Sequence, residues 1–368
     1  MNRRTFLKLT GTAAAGMLAQ PALAAEDASV APATGPSTRP IIRMAPPKPG
    51  QMKVGCQRWG SGKLQFLLRN GVQNICASPA KSGPDGLWTP ETVRDARRYV
   101  EDNGLYADAM YWGVPIDVLV PQKRDRAIER CKRQIEAAGK GGIPILAYNL
   151  HVRIWKARTG KTPGRGGSFY SAWDYSAGPE VQRGKPNIGP IDAEEMWGRI
   201  EYFLKAVVPV AAEAKVKLSC HPPDPPVPAD NPWKIAQVLD TVDGLKKFVS
   251  ICDSDYHGLT FCQGTISEML RNPGEEIFDV IRWFGQRRKI MFVHFRNIRG
   301  GLGKFEEVYH DEGDVNMFKA AQTYKEVGFD GMLMPDHLPG HEEDPDGLQP
   351  FAWAYGYIRG IVQAVYGG

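Results

Sequence analysis

The sequence predicts an α/β fold, a (β/α)8 TIM barrel with a long loop after strand 4, and three observations lead there. Eight short apolar runs recur between residues 51 and 368. Amphipathic, helix-like stretches separate them. No glycine-rich phosphate turn follows an early run, which counts against a doubly wound open sheet. The runs are Lys53–Cys56, Gln73–Ala77, Tyr106–Trp112, Pro144–Asn149, Val216–His221, Leu259–Gln263, Ile290–Asn297 and Gly331–His337. Short, near-continuous apolar runs are the pattern of strands buried on both faces.

The helical segments follow from their periods and caps. Thr89-Pro90 opens residues 90–103 with an N-cap residue and a proline at the first helical position. Residues 123–139 place Ala127, Ile128, Cys131, Ile135 and Ala138 on one face among many charges. Apolar stripes of the same kind run through 193–214, 274–287, 314–326 and 350–365. One connection is out of scale. Residues 153–192 contain Thr162-Pro163-Gly164-Arg165-Gly166-Gly167 and little periodicity. A loop that long leaving the C-terminal end of a barrel strand is expected to be a lid, the alternative being a loose surface insertion.

The N-terminus reads as a separate region. Arg3-Arg4, then Phe6, Leu7 and Lys8, then an alanine-rich apolar stretch ending Ala22-Leu23-Ala24, has the layout of a twin-arginine signal peptide over residues 1–24. The apolar stretch is short for a membrane span. Residues 25–50, rich in Ala, Pro, Ser and Thr, are expected to be a disordered linker, and 51–368 the catalytic barrel. The expected location is therefore the periplasm, with no membrane attachment after signal removal. The formal charge is +5, from 46 basic and 41 acidic residues; losing the three basic residues of the signal leaves 43 against 41. A near-neutral mature chain without a basic patch argues against a nucleic-acid partner. Six cysteines could form disulfides in an oxidising compartment, but Cys56, Cys76, Cys220 and Cys262 lie in apolar runs and no pair has C-x-x-C spacing. Most are expected to be buried as small apolar residues.

Chemistry gathers where the last four runs stop. These end at Cys220-His221-Pro222-Pro223-Asp224, Phe261-Cys262-Gln263-Gly264, Val293-His294-Phe295-Arg296-Asn297 and Pro335-Asp336-His337. Strand ends of a barrel converge on one mouth, so His221, Cys262, His294 and Asp336 can meet there. Their spacings of 41, 32 and 42 residues each match about one βα unit. Two imidazoles, a thiolate and a carboxylate suit a borderline divalent ion such as zinc, manganese or iron. Gln57, Arg58 and Trp59 follow the first run and are expected near the same mouth, as is His151 after the fourth.

These stretches resemble the mannonate dehydratases, barrels of the xylose-isomerase-like kind. The likeness rests on Cys220-His221-Pro222-Pro223-Asp224-Pro225-Pro226, Phe261-Cys262-Gln263-Gly264-Thr265, Val293-His294-Phe295-Arg296-Asn297 and Pro335-Asp336-His337. Phe305-Glu306-Glu307, His310, Gly313-Asp314-Val315-Asn316-Met317 and Pro163-Gly164-Arg165-Gly166-Gly167 fit it as well. The resemblance implies a hydro-lyase using Mn2+ or Fe2+ that converts D-mannonate to 2-keto-3-deoxy-D-gluconate and water. By motif it implies His221, Cys262, His294 and Asp336 as metal ligands and His337 as the catalytic histidine. Dehydration needs a proton taken from C2 beside a carboxylate, a C3 hydroxyl expelled, and a cation to stabilise the charge that builds up. Arg296, Asn297 and Arg165 are the candidate substrate contacts, the guanidiniums for their match to a carboxylate.

The chain departs from the family pattern in two places. Leu338 stands where a glycine usually follows the Pro-Asp-His, and the tyrosine that partners the histidine is missing from its usual place. Tyr355 is the candidate substitute, with Tyr357 beside it, and both fit an apolar helix face equally well. The alternative function is a metal-dependent isomerase or epimerase of a sugar or sugar acid on the same barrel, although such sites usually rely on several carboxylate ligands. A third class, a two-lobed periplasmic binding protein, would not need the metal set. A homo-oligomer is compatible with all of this.

Overall fold

The computed structural model describes residues 44–57, 63–83, 85–181, 187–226 and 231–367. The signal segment 1–24, most of the linker, and Arg58 and Trp59 lie outside the described residues. Eight parallel strands close into a barrel. They are β1 (Lys53–Cys56), β2 (Asn74–Ala77), β3 (Tyr106–Tyr111), β4 (Ile145–Asn149), β7 (Lys217–His221), β8 (His257–Cys262), β9 (Ile290–His294) and β12 (Met332–Met334). Around the ring they run β1-β12-β9-β8-β7-β4-β3-β2. Every run read from the sequence supplies one of them.

Helices follow most strands: α1 (Leu64–Arg69), α2 (Pro90–Asp102), α3 (Arg124–Gly141), α4 (Ala193–Ala214), α5 (Val242–Ser250), α6 (Gln263–Ser267), α7 (Pro273–Gln286), α8 (Met317–Glu326) and α9 (Leu348–Tyr366). The caps explain where several begin. Thr89 and Thr92 cap α2 reciprocally, each side chain accepting from the other's backbone N–H. The Asp192 carboxylate accepts from Glu195 N at 2.8 Å to open α4. α1, α5 and α6 escaped the sequence reading because none exceeds nine residues, too few to establish a helical period.

Two apolar layers result. The large one lies between strands and helices, with Ile75, Leu146, Leu218, Phe261 and Val293 meeting Phe203, Phe248, Phe284 and Ile358. The smaller one comprises Cys76, Ala109, Ala147, Met291, Phe292, Met332 and Met334. It is lopsided, with small residues on β2, β3 and β4 facing methionines and a phenylalanine on β9 and β12. Flexible methionine suits so irregular a gap. Residues 44–50 are coil and turn, and the Ala45 carbonyl accepts from Gln73 Nε2 at 2.6 Å, close to the start of β2.

The long connection after β4 is largely built. It contains β5 (Gly160–Pro163) and β6 (Phe169–Asp174), which pair with β10 (Ile298–Gly301) and β11 (Lys304–Glu307) from the segment after β9. The four form an antiparallel sheet in the order β10-β11-β6-β5. It leaves from the C-terminal ends of two barrel strands, the mouth side, so a second small sheet stands where a lid was expected. No disulfide joins any of the six cysteines, and all but Cys252 are buried.

Candidate active site

The four strand-end donors come together. His221, Cys262 and His294 are the last residues of β7, β8 and β9, and Asp336 lies two residues past β12. One donor atom from each lies within 4.8 Å of all the others. His221 Nε2 is 3.2 Å from His294 Nδ1, His294 Nδ1 is 3.5 Å from Asp336 Oδ2, and Cys262 Sγ is 3.8 Å from Asp336 Oδ2. A tetrahedral ion with ligands at roughly 2.0–2.3 Å sets its donors about 3.3–3.8 Å apart. The three separations lie close to that range, so the four groups could share one ion.

The surroundings prepare the donors. His221 Nδ1 donates to the Pro222 carbonyl at 2.6 Å, which turns the Nε2 lone pair toward the other three. Burial pushes His221 below its ordinary value, toward the neutral imidazole a metal requires. Burial alone would raise Asp336, but His337 and then His294 outweigh it and hold the carboxyl well below the usual range. The Gln57 side-chain amide donates to Asp336 Oδ1. Thr265 Oγ1 sits 3.1 Å from Cys262 Sγ.

A second polar cluster adjoins this one. Arg296 is fully buried and meets Glu268 Oε1 at 2.6 Å, Asp224 Oδ2 at 3.0 Å, Thr265 Oγ1 at 3.0 Å, and Glu307. Arg158, just before β5, meets Asp224 Oδ1 at 2.7 Å and Glu307. His337 Nδ1 bonds to the same Glu307 oxygen. Asp224, Glu307 and His337 also bring donor atoms within 4.8 Å. Two guanidiniums already bond to those carboxylates, however, so cations hold the place a second metal would need. Burial, and then Asp224, push Glu268 well above the usual carboxylate range. A neutral Glu268 leaves two guanidiniums facing two carboxylates, a balanced set in a dry interior. Burial would raise Glu307 too, but Arg158 leads His337 and Arg296 in holding it below its ordinary value. Gly264 is required here, because a Cβ on it would lie 2.2 Å from Arg296 Nε.

Comparison with known proteins points to one family. The family model described as D-mannonate dehydratase (UxuA) matches residues 180–367. Mannonate dehydratase 2 of Halalkalibacterium halodurans is 30% identical over 339 aligned residues, covering 82% of this chain and 95% of the relative. The chain belongs to the mannonate dehydratase family. The crystal structure of mannonate dehydratase from Streptococcus suis serotype 2 superposes with a TM-score of 0.75 at 26% identity, covering 85% of this chain and 95% of that one. A D-tagatose 3-epimerase-like protein, at 14% identity and a TM-score of 0.55 over 86% of this chain and 99% of its own, shares the fold alone.

Several residues singled out in the sequence are employed elsewhere. Arg296, expected to hold a substrate carboxylate, spends both terminal nitrogens on the chain's own acids, with no side-chain surface exposed. Asn297 is a buried clasp: its Nδ2 donates to His310 O and Val315 O, and its Oδ1 accepts from the Ile298 and Val315 amides. Arg165 sits between β5 and β6, paired with Asp311 at 2.7 Å and lying over the Tyr309 ring. Tyr355, the candidate substitute for the family tyrosine, is buried in the apolar layer under α9, its hydroxyl 2.9 Å from Cys56 Sγ. Its neighbour Tyr357 packs with Trp353 and His310. The sequence reading missed Arg158, Asp224, Glu268 and Glu307 as members of the site. Asp224 and Glu307 stood inside motifs already noted; Arg158 gave no signal, since nothing in Ala157-Arg158-Thr159 marks the chain turning inward.

Proposed function

We propose that this protein is a metal-dependent hydro-lyase that dehydrates a hexonate, D-mannonate in the first instance, to the 2-keto-3-deoxy acid. The observation that carries this reading is the convergence of His221, Cys262, His294 and Asp336 in a chain of the mannonate dehydratase family. Manganese or iron fits the mixed nitrogen, sulfur and oxygen donors. A divalent ion there would supply electrophilic stabilisation of the negative charge that builds on the substrate when C2 loses its proton. His337 Nε2 faces the donor set, 3.8 Å from Asp336 Oδ1, so His337 handles a proton at the reacting carbons. In balance, C2 loses a proton, C3 loses hydroxide as water, and the resulting enol becomes the 2-keto group.

With Arg296 and Arg165 engaged, the substrate carboxylate needs another cation. A shallow cleft is lined by His151, Arg153, Trp155, Asp224 and Gln237. Arg153 is exposed and has no hydrogen-bond or ion-pair partner among the described residues. We assign it the carboxylate. The one-carboxylate, cysteine-containing donor set gives no support to the isomerase alternative. We also propose export by the twin-arginine route with removal of residues 1–24, on the strength of Arg3-Arg4 and the Ala22-Leu23-Ala24 ending. Among the described residues no helix is long and apolar enough to cross a membrane. The test is incubation of manganese-loaded protein with D-mannonate and an assay for 2-keto-3-deoxy acid. Product is expected; turnover of other aldonates with none of mannonate would contradict the substrate assignment.

A further inference from the structure

We propose that Glu307, carried on strand β11 of the small sheet, is the positioning residue for His337, fixing that ring with its proton on Nδ1 and its Nε2 lone pair toward the metal donors. The sheet is then part of the catalytic apparatus as well as a cover. The inference rests on the reading of His337 as the proton-handling group.

The argument begins with what each atom can do. Glu307 is a carboxylate and can only accept. Arg158 and Arg296 can only donate. His337 Nδ1 lies 3.1 Å from Arg158 Nη2 and 3.0 Å from Arg296 Nη1, and it bonds to Glu307 Oε1. If Nδ1 carried a lone pair, it would face the carboxylate oxygen lone pair against lone pair. If it carries the proton, all three nitrogens are donors converging on one oxygen, and their closeness to one another follows from sharing it. The guanidiniums could also donate to a bare Nδ1, but the Glu307 contact is the shortest of the three, and only a proton on Nδ1 makes that contact a hydrogen bond. A neutral ring held with Nδ1–H has its lone pair on Nε2, the nitrogen that faces Asp336. An imidazolium formed during turnover would meet the same negative charge.

The small sheet makes this contact rigid. β11 pairs antiparallel with β6, with Glu306 opposite Ala172 and Phe305 opposite Trp173. Ala172 also accepts from the Thr159 amide at 2.9 Å, which anchors the segment delivering Arg158. Phe305 supports Arg158 from below, with the guanidinium carbon 5.2 Å from the ring centre. Glu307 and Arg158 thus reach His337 from two different insertions through one sheet. Neither lies on a barrel strand.

The experiment uses full-length, manganese-free and manganese-loaded protein with Glu307→Gln and Glu307→Asp. Nitrogen-15 histidine spectra of the manganese-free wild type, with His337 identified by its loss in His337→Asn, are expected to show the Nδ1–H form. Glu307→Gln, whose amide can either accept or donate, is expected to lose that preference. In turnover, kcat of Glu307→Gln should fall roughly 10- to 100-fold, the scale for losing a residue that orients a site group. KM should stay within about twofold and metal content should be unchanged, because Glu307 bonds Arg158, Arg296 and His337 and none of the four donors; Glu307→Asp should recover part of the loss. A wild-type His337 found as the Nε2–H form overturns the proposal whether or not either variant folds. So does a kcat for Glu307→Gln within twofold of wild type. If the wild type converts no aldonate, the functional reading fails while the spectra still decide the role of Glu307.

Discussion

The metal quartet and the ion-pair cluster beside it are built in opposite ways. Each quartet member ends or closely follows its own barrel strand, so strand geometry alone brings the four together. The cluster draws on a loop after β7, the turn after α6, the end of β11 and the segment before β5, joined by the buried guanidinium of Arg296 and the half-buried one of Arg158. The quartet is held by the fold, whereas the cluster holds the fold's additions to the barrel. Damage to one should therefore look different from damage to the other.

The sharpest way to break the comparison is His294→Ala. It removes a donor from a preformed site, so metal content should drop with kcat/KM by on the order of 10³-fold or more, while the apo protein's urea midpoint barely moves. A matching collapse of apo stability would put the quartet in the same class as the cluster. Arg296→Met should do the reverse. It leaves only Arg158 to balance Asp224 and Glu307, so one negative charge goes uncompensated, which costs roughly 3–5 kcal/mol and reads out as a large fall in urea midpoint. An unchanged midpoint would show that Arg158 alone balances the cluster.

Acid should act on the protein through histidines outside both regions. Burial lowers His257, at the start of β8, and His310, after β11, each to about 4. Their ordinary value is 6.5, so between these limits the unfolded chain binds protons that the folded one refuses. Stability is then full above about pH 6.5 and falls as pH drops toward 4, by up to ~1.4 kcal/mol per pH unit for each ring. Urea midpoints that stay flat over this window would remove these two groups from the account. The smallest effect belongs to Arg165→Ala. Its ion pair with Asp311 is about 40% exposed on both sides, so less than about 1 kcal/mol is at stake. KM should hold within about twofold, since its guanidinium is engaged by Asp311 and the Tyr309 ring; a tenfold rise would return Arg165 to the substrate.

The same contrast explains what the sequence made legible. The eight strands and the quartet were readable because a buried parallel strand announces itself as an apolar run, and its last residue has a known place in space. Position after a strand was an unreliable guide once the chain left the barrel. Arg296 and Asn297 follow His294 directly, yet the backbone turns there and buries both side chains in contacts with the chain itself. The small sheet was hidden because Gly160–Pro163 reads GKTP, with no alternation to mark a strand, and β11, the partner of β6, comes from more than a hundred residues away. Tyr355 fitted two readings equally well, and the apolar face of α9 was the one that applied.

The central claim is that one divalent ion is held by two imidazoles, a thiolate and a carboxylate. X-ray absorption at the metal edge of the loaded wild-type protein tests it most directly. The account predicts one sulfur neighbour at about 2.3 Å, as a Cys262 thiolate gives with zinc, together with nitrogen and oxygen neighbours near ~2.1 Å, and loss of the sulfur shell in Cys262→Ser. A fully loaded ion surrounded by nitrogen and oxygen alone would contradict it.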